Sequence, residues 1–405
     1  MSKLDELLRG VDVEFLPLGE IANFLNGKGH EKAISDDGKY IVVNSKFVSS
    51  EGKIIKYSDV QIVPLYIDDI LIVMSDLPNG KALAKTFLVE DNNKYTLNQR
   101  IGRLSVKNKN ALLPKYLNYI LNRSSELLKF NNGVDQTNLK KNQILEVSIP
   151  IPCPDNPEKS LEIQQEIVRV LDELTTLTNQ LTTELETERQ NRKKQFEFFR
   201  EQLFKEINLI KLGDNSVGEF IRGSGLQKKD FTESGVGCIH YGQLYTHYKT
   251  FAFETKTFVS EEFAEKARKA STGDLIIATT SENDDDVCKA VAWLGNEDIA
   301  VSSDACFYRH KFNPKYVAYY FQTEQFQKQK RKYITGTKVR RVNANDLAKI
   351  LIPNPSLEEQ ERIVKLLDQL DATHTAIEEE ITKEIKLRTQ QYEYYREKLL
   401  SFPQN

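Results

Sequence analysis

The amino-acid sequence contains one long segment twice. Residues 161–204 align without a gap to residues 357–400, at a constant offset of 196 positions. Identical pairs are spread along the whole alignment and include Leu161/Leu357, Gln164/Gln360, Ile167/Ile363, Asp172/Asp368, Arg192/Arg388, Gln195/Gln391 and Arg200/Arg396. A repeat of this length restricts the fold to an architecture built from two equivalent units.

Both copies have the pattern of a long amphipathic helix, because apolar residues recur every three or four positions without Gly or Pro. The stripe consists of Leu171, Leu174, Leu181, Leu185, Phe196, Phe199 and Leu203 in the first copy, and of Leu367, Leu370, Ile377, Ile381, Ile385, Tyr392, Tyr395 and Leu399 in the second. A helix of this length measures about 66 Å and needs a partner for its apolar stripe. We predict that the two helices pack together as an antiparallel intramolecular coiled coil. The alternative is that each helix packs on its own globular domain.

The regions before the two helices correspond more loosely. The run from Asp69 (DILIV) matches the run from Asp274 (DLIIA), and Pro-Lys-Tyr occurs at both 114–116 and 314–316. Short β-branched runs such as 40–43 and 275–278 predict strands, and the two prolines predict helix starts. We therefore predict an α+β chain of two pseudo-symmetric mixed α/β domains, separated by two helical regions. The domains are 1–155 (with an N-terminal segment, 1–14) and 208–355, and the helical regions are 156–207 and 356–405.

Composition limits the partners and the compartment. The chain has 56 Lys and Arg against 59 Asp and Glu, so any nucleic-acid site must be a local basic patch. No apolar run approaches the ~20 residues of a membrane span, and the N-terminus lacks a secretory pattern, so we expect a cytoplasmic chain without a membrane partner. The four scattered cysteines predict reduced thiols. Cys238, His240 and His247 do not complete a zinc ligand set, and no metal site is predicted.

A duplicated domain on a stiff helix pair has the geometry of a protein that binds two DNA half-sites, because the protein then fixes their separation. The two globular regions differ in sequence away from the matching positions. The two half-sites should therefore differ, and the target should be split and asymmetric.

Three segments of the chain have a more specific pattern: IPIPCPDNPEKSLEIQQEIVRVLDELT at 149–175, RKKQFEFFREQLF at 192–204 and QQYEYYREKLLSF at 390–402. In these segments, and over essentially its full length, the chain resembles the specificity (S) subunit of type I restriction-modification enzymes. The resemblance implies two target-recognition domains that bind double-stranded DNA, with no catalysis and no cofactor in this chain. It also implies two kinds of partner subunit: two modification (methyltransferase) subunits docked on the coiled coil, and restriction (translocase and nuclease) subunits. These partner subunits are expected to use S-adenosylmethionine, ATP and Mg²⁺. The tetrads that begin at Leu177, Leu181 and Leu185 resemble the spacer repeats of this family.

One class of candidate DNA contacts lies in a polar loop between two apolar strands of each domain, within 72–84 and 277–292. Such a tip can enter the major groove and offer donors and acceptors to base edges. The candidates are Ser75, Asn79, Lys81, Ser281, Glu282, Asn283 and Lys289. For the acidic run 284–286 three interpretations stay open: contact with cytosine amino groups, binding of Mg²⁺, or a solvated turn, which we favour.

A second class is basic. Residues 326–341 include seven positively charged side chains and no acidic one, a pattern that favours phosphate binding over the alternative of a solvated basic face. The candidates are Lys332, Lys338, Arg340 and Arg341, with a weaker counterpart at Lys140 and Lys141. Polar tips after apolar strands add Asn44, Lys46, Tyr241 and Gln243.

No enzymatic motif accompanies these features. The turn at 27–30 lacks the spacing of a phosphate-binding loop, and neither an amino-methyltransferase motif nor a Gly-x-Ser-x-Gly elbow occurs. A non-enzymatic chain is predicted. The alternative to DNA recognition is a two-domain protein scaffold on a coiled-coil spacer.

Overall fold

The structure, a computed structural model, describes residues 10–77, 80–205 and 208–402. The chain divides into two compact units. Unit 1 comprises the chain up to Thr182 together with the segment that begins at Ile385, and unit 2 runs from Thr183 to Glu384. The four segments predicted above follow the sequence repeat, whereas the compact units follow the packing and divide both long helices.

Unit 1 contains short strands and short helices besides its parts of the long helices. Its strands are β1 (Val13–Pro17), β2 (Ala22–Asn26), β3 (Ile34–Ser35), β4 (Tyr40–Val43), β5 (Tyr57–Ser58), β6 (Ile70–Val73), β7 (Ser75–Asp76), β8 (Thr86–Leu88), β9 (Tyr95–Leu97), β10 (Ile101–Val106), β11 (Thr137–Asn138) and β12 (Ser148–Pro152). Its short helices are α1 (Leu18–Ile21), α2 (Ser45–Ser49), α3 (Pro114–Leu121), α4 (Ser125–Leu128) and α5 (Lys141–Leu145).

The core of unit 1 lies on both faces of one sheet, which has the strand order β2-β10-β6-β8. All four residues of β6 are buried, and successive side chains of a strand point to opposite faces. Ile70 and Ile72 pack with α3 and the first long helix, while Leu71 and Val73 pack toward a second sheet, ordered β3-β5-β4-β9. Burial on both faces explains why this strand is an unbroken apolar run.

Unit 2 repeats this plan with additional strands. Its strands are β13 (Leu209–Lys211), β14 (Gly218–Arg222), β15 (Phe231–Thr232), β16 (Val236–Ile239), β17 (Phe251–Ala252), β18 (Thr257–Val259), β19 (Lys269–Ala270), β20 (Leu275–Ala278), β21 (Thr280–Ser281), β22 (Ala290–Trp293), β23 (Ile299–Val301), β24 (Ala305–His310), β25 (Arg340–Arg341) and β26 (Leu351–Pro353). Its short helices are α7 (Tyr241–Thr246), α8 (Glu261–Lys266), α9 (Pro314–Tyr320), α10 (Glu324–Arg331) and α11 (Ala344–Leu347), with a 3₁₀ turn at Lys228–Asp230. The sheets have the orders β14-β24-β20-β22-β17 and β15-β18-β16-β23-β19. Strand β20 takes the place of β6, since Leu275 and Ile277 face one core and Ile276 and Ala278 the other.

The long helices are α6 (Pro157–Leu203) and α12 (Leu357–Leu400), and they pack antiparallel within each unit. In unit 1 the hydroxyls of Thr175 and Tyr392 lie 3.1 Å apart, and Leu399 packs on the cluster that contains Ile167. In unit 2 Phe196 stacks on His374 with ring centroids 5.1 Å apart, and Leu203 joins the cluster of Ile363, Val364 and Leu367. The predicted α+β fold with an antiparallel helix pair is confirmed.

Each long helix also docks on the globular domain that precedes it. Tyr119 donates to Asp172 at 2.7 Å and Tyr319 donates to Asp368 at 2.8 Å. Lys115 and Lys315 form ion pairs with the same two carboxylates, both at 2.8 Å. Each long helix therefore packs both against the other long helix and against the globular domain before it, so the prediction and its alternative both hold.

The predicted stripe residues differ in burial. Leu171, Leu367 and Ile381 are buried, and Leu174, Leu181, Leu185, Phe196, Leu370, Ile377 and Tyr392 are half-buried. Phe199 and Tyr395, however, are exposed, so the assignment of these two residues to the stripe was wrong. The helical period alone could not exclude them, because each lies three positions after a stripe residue, Phe196 or Tyr392.

No helix in the described part of the chain is long and apolar enough to cross a membrane. All four cysteines are free thiols, and three of them are buried. Burial raises the pKa of Cys288 to about 12, which keeps this thiol protonated.

Candidate nucleic-acid interface

In unit 2 two of the predicted loop classes come together in one antiparallel ribbon. Strand β21 pairs with β25, with Thr280 opposite Arg341 and Ser281 opposite Arg340. Tyr245 of α7 donates to the carbonyl of Thr280 at 2.8 Å and supports the ribbon from the side. The polar loop after β20 and the basic stretch are therefore neighbours in space, although about 60 residues separate them in the sequence.

The basic part of this ribbon is a tight turn, residues 335–341, which we call the basic turn. Thr335 and Arg341 form a bridge that closes it. Gly336 has φ +88°, and a Cβ there would lie 2.1 Å from the carbonyl oxygen of Val339, so only glycine fits. Lys338, Val339 and Arg341 are exposed at the surface of the turn.

The two arginines of β25 have different surroundings. The Arg340 guanidinium forms an ion pair with Asp284 at 2.8 Å. Arg341 lines a cavity of ≈ 290 Å³ together with Arg222, Thr280 and Asn343. Lys338 and Arg341 are thus exposed cations of the basic turn, and the cavity beside Arg341 is lined by both the guanidinium of Arg222 and the carboxylate of Asp304.

The acidic run 284–286 lies beside the basic turn, and a buried lysine donates to the backbone of this loop. Lys330 is fully buried, and its ammonium donates to the carbonyls of Asp285 at 3.0 Å and Val287 at 2.9 Å. Burial lowers the pKa of Lys330. Asn283 caps the loop by accepting from the backbone N–H of Asp286 at 2.8 Å.

These contacts correct the interpretation of residues 326–341 as one uniform basic segment. Lys330 is buried, Arg331 pairs with Glu324 at 2.7 Å and Arg340 pairs with Asp284, so three of the charges serve the fold at least in part. The acidic run 284–286 is an exposed turn, which agrees with the favoured interpretation. Its Asp284 side chain pairs with a basic residue of the neighbouring strand.

Unit 1 contains the same ribbon with different side chains. Strand β7 pairs with β11, with Ser75 opposite Asn138 and Asp76 opposite Thr137. The turn at residues 132–138, which we call the polar turn, has Gly133 at φ +69° and is capped by Asn132, which accepts from the N–H groups of Val134 and Asp135. Thr137 and Asn138 therefore occupy the places of Arg340 and Arg341.

A carboxylate holds the loop after β7. Asp76 accepts from the N–H of Leu77 at 2.9 Å and from the N–H groups of Ala82 at 2.7 Å and Leu83 at 3.2 Å. The exposed Lys81 lies on this loop, and its carbonyl accepts from Arg123 at 2.7 Å. Asn79 lies outside the described residues.

Four of the predicted contacts are engaged within the fold. Ser75 is buried and accepts from Gln136 at 2.7 Å, and Ser281 is also buried. Asn44 caps α2 by accepting from the N–H of Phe47, and Gln243 accepts from the N–H of His240 at 2.9 Å. Ser75 and Ser281 can contact bases only if the ribbon opens, whereas Asn44 and Gln243 are half-buried.

The other candidates are more accessible. Lys46, Lys140, Lys141, Glu282, Asn283, Lys332 and Lys338 are exposed, while Tyr241 and Lys289 are half-buried. Lys289 donates to the carbonyl of Tyr245 at 3.3 Å, which places it beside the ribbon. The exposed lysines can contact phosphates without any rearrangement of the fold.

Sequence reasoning missed several residues of the two ribbons. Gln136 and Asn138 are exposed on the polar turn, and Asp76 and Lys330 fix the two loops. One signal was available in the sequence. Gly133 and Gly336 each follow a short polar or aromatic run, and each lies six residues before an apolar residue, Leu139 or Val342. The spacing marks the turn, whereas no sequence signal marks a lysine for burial.

The possible metal ligands have structural partners. The Cys238 thiol lies 3.3 Å from the hydroxyl of Thr257, and the N–H of Gly242 donates to His240 at 3.3 Å. Among residues 10–77, 80–205 and 208–402, no group of three or more His, Cys, Asp or Glu side chains could hold a metal ion.

A duplicated α+β domain with a turn-bearing ribbon, followed each time by a long helix, defines a class of paired recognition domains. The family model of the type I restriction modification DNA specificity domain matches the chain twice, at residues 10–188 and 205–387. The chain belongs to this family.

Several relatives match along almost the whole chain. The type I restriction enzyme EcoR124I/EcoR124II specificity subunit of Escherichia coli is 29% identical over 100% of this chain and 98% of that protein. A putative type I restriction enzyme specificity subunit of Haemophilus influenzae is 27% identical, with 98% of each chain covered. The resemblance to the specificity subunit is therefore confirmed.

Solved structures agree on the fold. A chain from a study of complex assembly and conformational transition of the type I R-M system has a TM-score of 0.73 at 16% identity, covering 96% of this chain and 97% of that one. The HsdS subunit from Thermoanaerobacter tengcongensis has a TM-score of 0.53 at 16% identity, with 96% of each chain covered.

Proposed function

We propose that this chain is the non-catalytic specificity subunit of a type I restriction-modification enzyme, acting in the cytoplasm on double-stranded DNA with a split, asymmetric target. Each globular domain recognises one half of the target. The observation that carries this proposal is the recurrence of one ribbon in both units with different side chains at equivalent positions. Recognition of two different half-sites requires this combination of one ribbon backbone with different side chains at the turn.

The two turns suit different base edges. The basic turn offers Lys338, Arg340 and Arg341, which suit guanine edges and phosphates. The polar turn offers Asn138, whose amide matches adenine, and Asp135, which can accept from a cytosine amino group. Gln136 can act like Asn138 once its amide releases Ser75. The exposed Lys46, Lys81, Lys140, Lys141 and Lys332 supply phosphate contacts, with Lys289 beside the ribbon.

The partners that we infer are those that the resemblance implies. The E. coli relative is a subunit of a type I restriction enzyme by name. We infer that the long helices dock two modification subunits, which use S-adenosylmethionine, and that restriction subunits with ATP and Mg²⁺ complete the enzyme. This chain then contributes recognition and spacing, and no cofactor binds to it.

Gel shifts with a randomised DNA library, with the modification subunits present, test DNA recognition against the alternative of a protein scaffold. A DNA-recognition subunit enriches one split sequence, and its DNA affinity falls as salt rises. Enrichment of no sequence would favour the scaffold. The purified chain alone, given S-adenosylmethionine, ATP and Mg²⁺, should neither methylate nor cut DNA.

The spacing role gives a separate test on the tetrads. Deleting residues 181–184 together with the equivalent 377–380 shortens each helix by about 6 Å, close to two base pairs of DNA. The preferred gap between the half-sites should shrink by about that amount, and both half-site sequences should stay the same. Library selection with the deleted chain measures this, and altered half-sites would rule out a spacer role.

A further inference from the structure

Two pairs of adjacent aromatic residues lie exposed on the long helices, and we call them the aromatic pairs. Phe198 and Phe199 on α6 are 57% and 43% exposed, and Tyr394 and Tyr395 on α12 are 60% and 41% exposed. The two pairs are equivalents under the 196-residue repeat. In each pair the rings meet edge to face at 69°, with centroids 5.7 Å apart in the first and 5.4 Å in the second.

A neighbouring arginine fixes the rotation of the helix at each pair. Arg396 donates to the carbonyls of Tyr119 and Asn122 within unit 1, and Arg200 donates to the side-chain oxygen of Gln322 at 3.0 Å within unit 2. Residues two positions apart lie about 200° apart around a helix. Since Arg200 and Arg396 point to their domains, Phe198 and Tyr394 must point away from them.

The surroundings of the two pairs are duplicated as well. Arg192 donates to the side-chain oxygen of Gln195 at 3.1 Å, and Arg388 donates to that of Gln391 at 3.0 Å. The same polar contact therefore precedes each aromatic pair by one helical turn. Two surfaces with equivalent aromatic pairs and the same polar contact fit the same occupant.

Exposed rings in this arrangement suit the centre of a protein interface. A single exposed apolar residue is ordinary, but adjacent large rings beside polar groups resemble the aromatic contacts that dominate binding energy. The exchange of Phe for Tyr between the two copies keeps the aromatic ring at both positions. The partner must offer an apolar pocket that is open where the tyrosine hydroxyl emerges.

We propose that each aromatic pair is the central contact for one copy of the modification subunit, so that the duplicated surface sets a stoichiometry of two. This assignment rests on the proposed function, which supplies a protein partner needed in two identical copies. It adds the residues that bind the partner. A second copy of this chain and stacked nucleic-acid bases are the competing occupants.

Native mass spectrometry of the full chain with the modification subunit tests the assignment. The unsubstituted chain should bind two copies, Phe198→Ala/Phe199→Ala and Tyr394→Ala/Tyr395→Ala should each bind one, and the fourfold variant should bind none. Titration should show at least roughly 30-fold weaker binding at each altered site, the effect of losing a central interface contact. Single variants Phe198→Lys and Tyr394→Lys, at outward helix positions that tolerate charge, should reproduce the loss without an effect on helicity.

The chain offers matched controls. Leu177 on α6 is 62% exposed, but its repeat equivalent is Thr373, so it is not part of a duplicated surface. Leu177→Ala should therefore still bind two copies. Phe198→Tyr/Phe199→Tyr, which copies the second pair into the first, should also retain both.

Four outcomes would overturn the assignment. Two copies bound to the fourfold variant would overturn it alone and leave the proposed function intact. A dimer of this chain that the alanine variants dissociate, or weaker DNA binding with an unchanged stoichiometry, would assign the rings to one of the competing occupants. If the unsubstituted chain bound no modification subunit, the proposed partner would fail and this assignment with it.

Discussion

The polar turn of unit 1 and the basic turn of unit 2 have one backbone plan and opposite chemistry. Both contain a glycine with positive φ as their second residue, and both end in a two-residue strand paired to the strand after the central apolar run. The exposed surface of the first turn has the carboxylate of Asp135, and that of the second has the cations of Lys338 and Arg341. Backbone geometry keeps the two turns alike. The exposed side chains, which this geometry does not require, are free to determine which target is recognised.

The loops beside the two turns are also fixed by opposite charges. In unit 1 the Asp76 carboxylate accepts from three backbone N–H groups, whereas in unit 2 the Lys330 ammonium donates to two backbone carbonyls. Backbone carbonyls accept from cations and backbone N–H groups donate to carboxylates, so either a lysine or an aspartate can order a loop. Equivalent geometry in the two units therefore does not require equivalent residues.

The largest effect should come from grafting the polar turn onto unit 2, with the sequence of 132–138 in place of 335–341. Three cations are lost, so affinity should fall about 1000-fold, and the slope of log K against log salt should shrink by up to roughly 2.7. Recognition of the first half-site should persist. Gel-shift titrations at several salt concentrations measure both effects.

Thr337→Val is the matched control for the graft, because it copies the equivalent Val134 without a change in charge. It should leave the salt slope unchanged. An unchanged slope in the graft itself would remove the basic turn from the DNA interface.

The next largest effect is a loss of stability at low pH that is expected in unit 2. Burial lowers the pKa of His310 in β24 to about 4, below its ordinary value of 6.5, while the equivalent residue of β10 is Val106. The unfolded chain then binds a proton more readily, so this residue should destabilise unit 2 as pH falls from about 6.5 toward 4. The loss should be roughly 2 to 3 kcal/mol between pH 7 and pH 4.5.

Urea unfolding followed by the fluorescence of Trp293, the single tryptophan and a buried residue of unit 2, measures this effect. His310→Val should remove the additional acid sensitivity. If the variant lost as much stability on acidification as the unsubstituted chain, His310 would not be the titrating group.

A smaller effect is expected from Lys330→Met. The variant keeps the apolar stem and leaves the carbonyls of Asp285 and Val287 without their donor, at a cost of about 2 kcal/mol. Amide exchange should accelerate in residues 283–289, and the second half-site should be recognised less selectively. Exchange measured by mass spectrometry should show no change in the loop of unit 1, and a change there would contradict independent fixing of the two loops.

The sequence predicted the repeat, the long helices and the strands at 40–43 and 275–278, because the helical period and apolar runs are local signals. It could not predict which candidates are covered. Ser75 and Ser281 are polar residues after an apolar strand, and only the pairing of distant strands buries them. The burial of Lys330 depends in the same way on carbonyls about 45 residues away.

Recognition of two different halves of one split target by two domains can be tested in genomic DNA. The DNA is treated with the modification subunits and either this chain or the basic-turn graft, and the methylated sites are mapped. We expect a split motif with two unlike halves, of which the graft alters only one. A continuous or palindromic motif, or a graft that alters both halves, would contradict it.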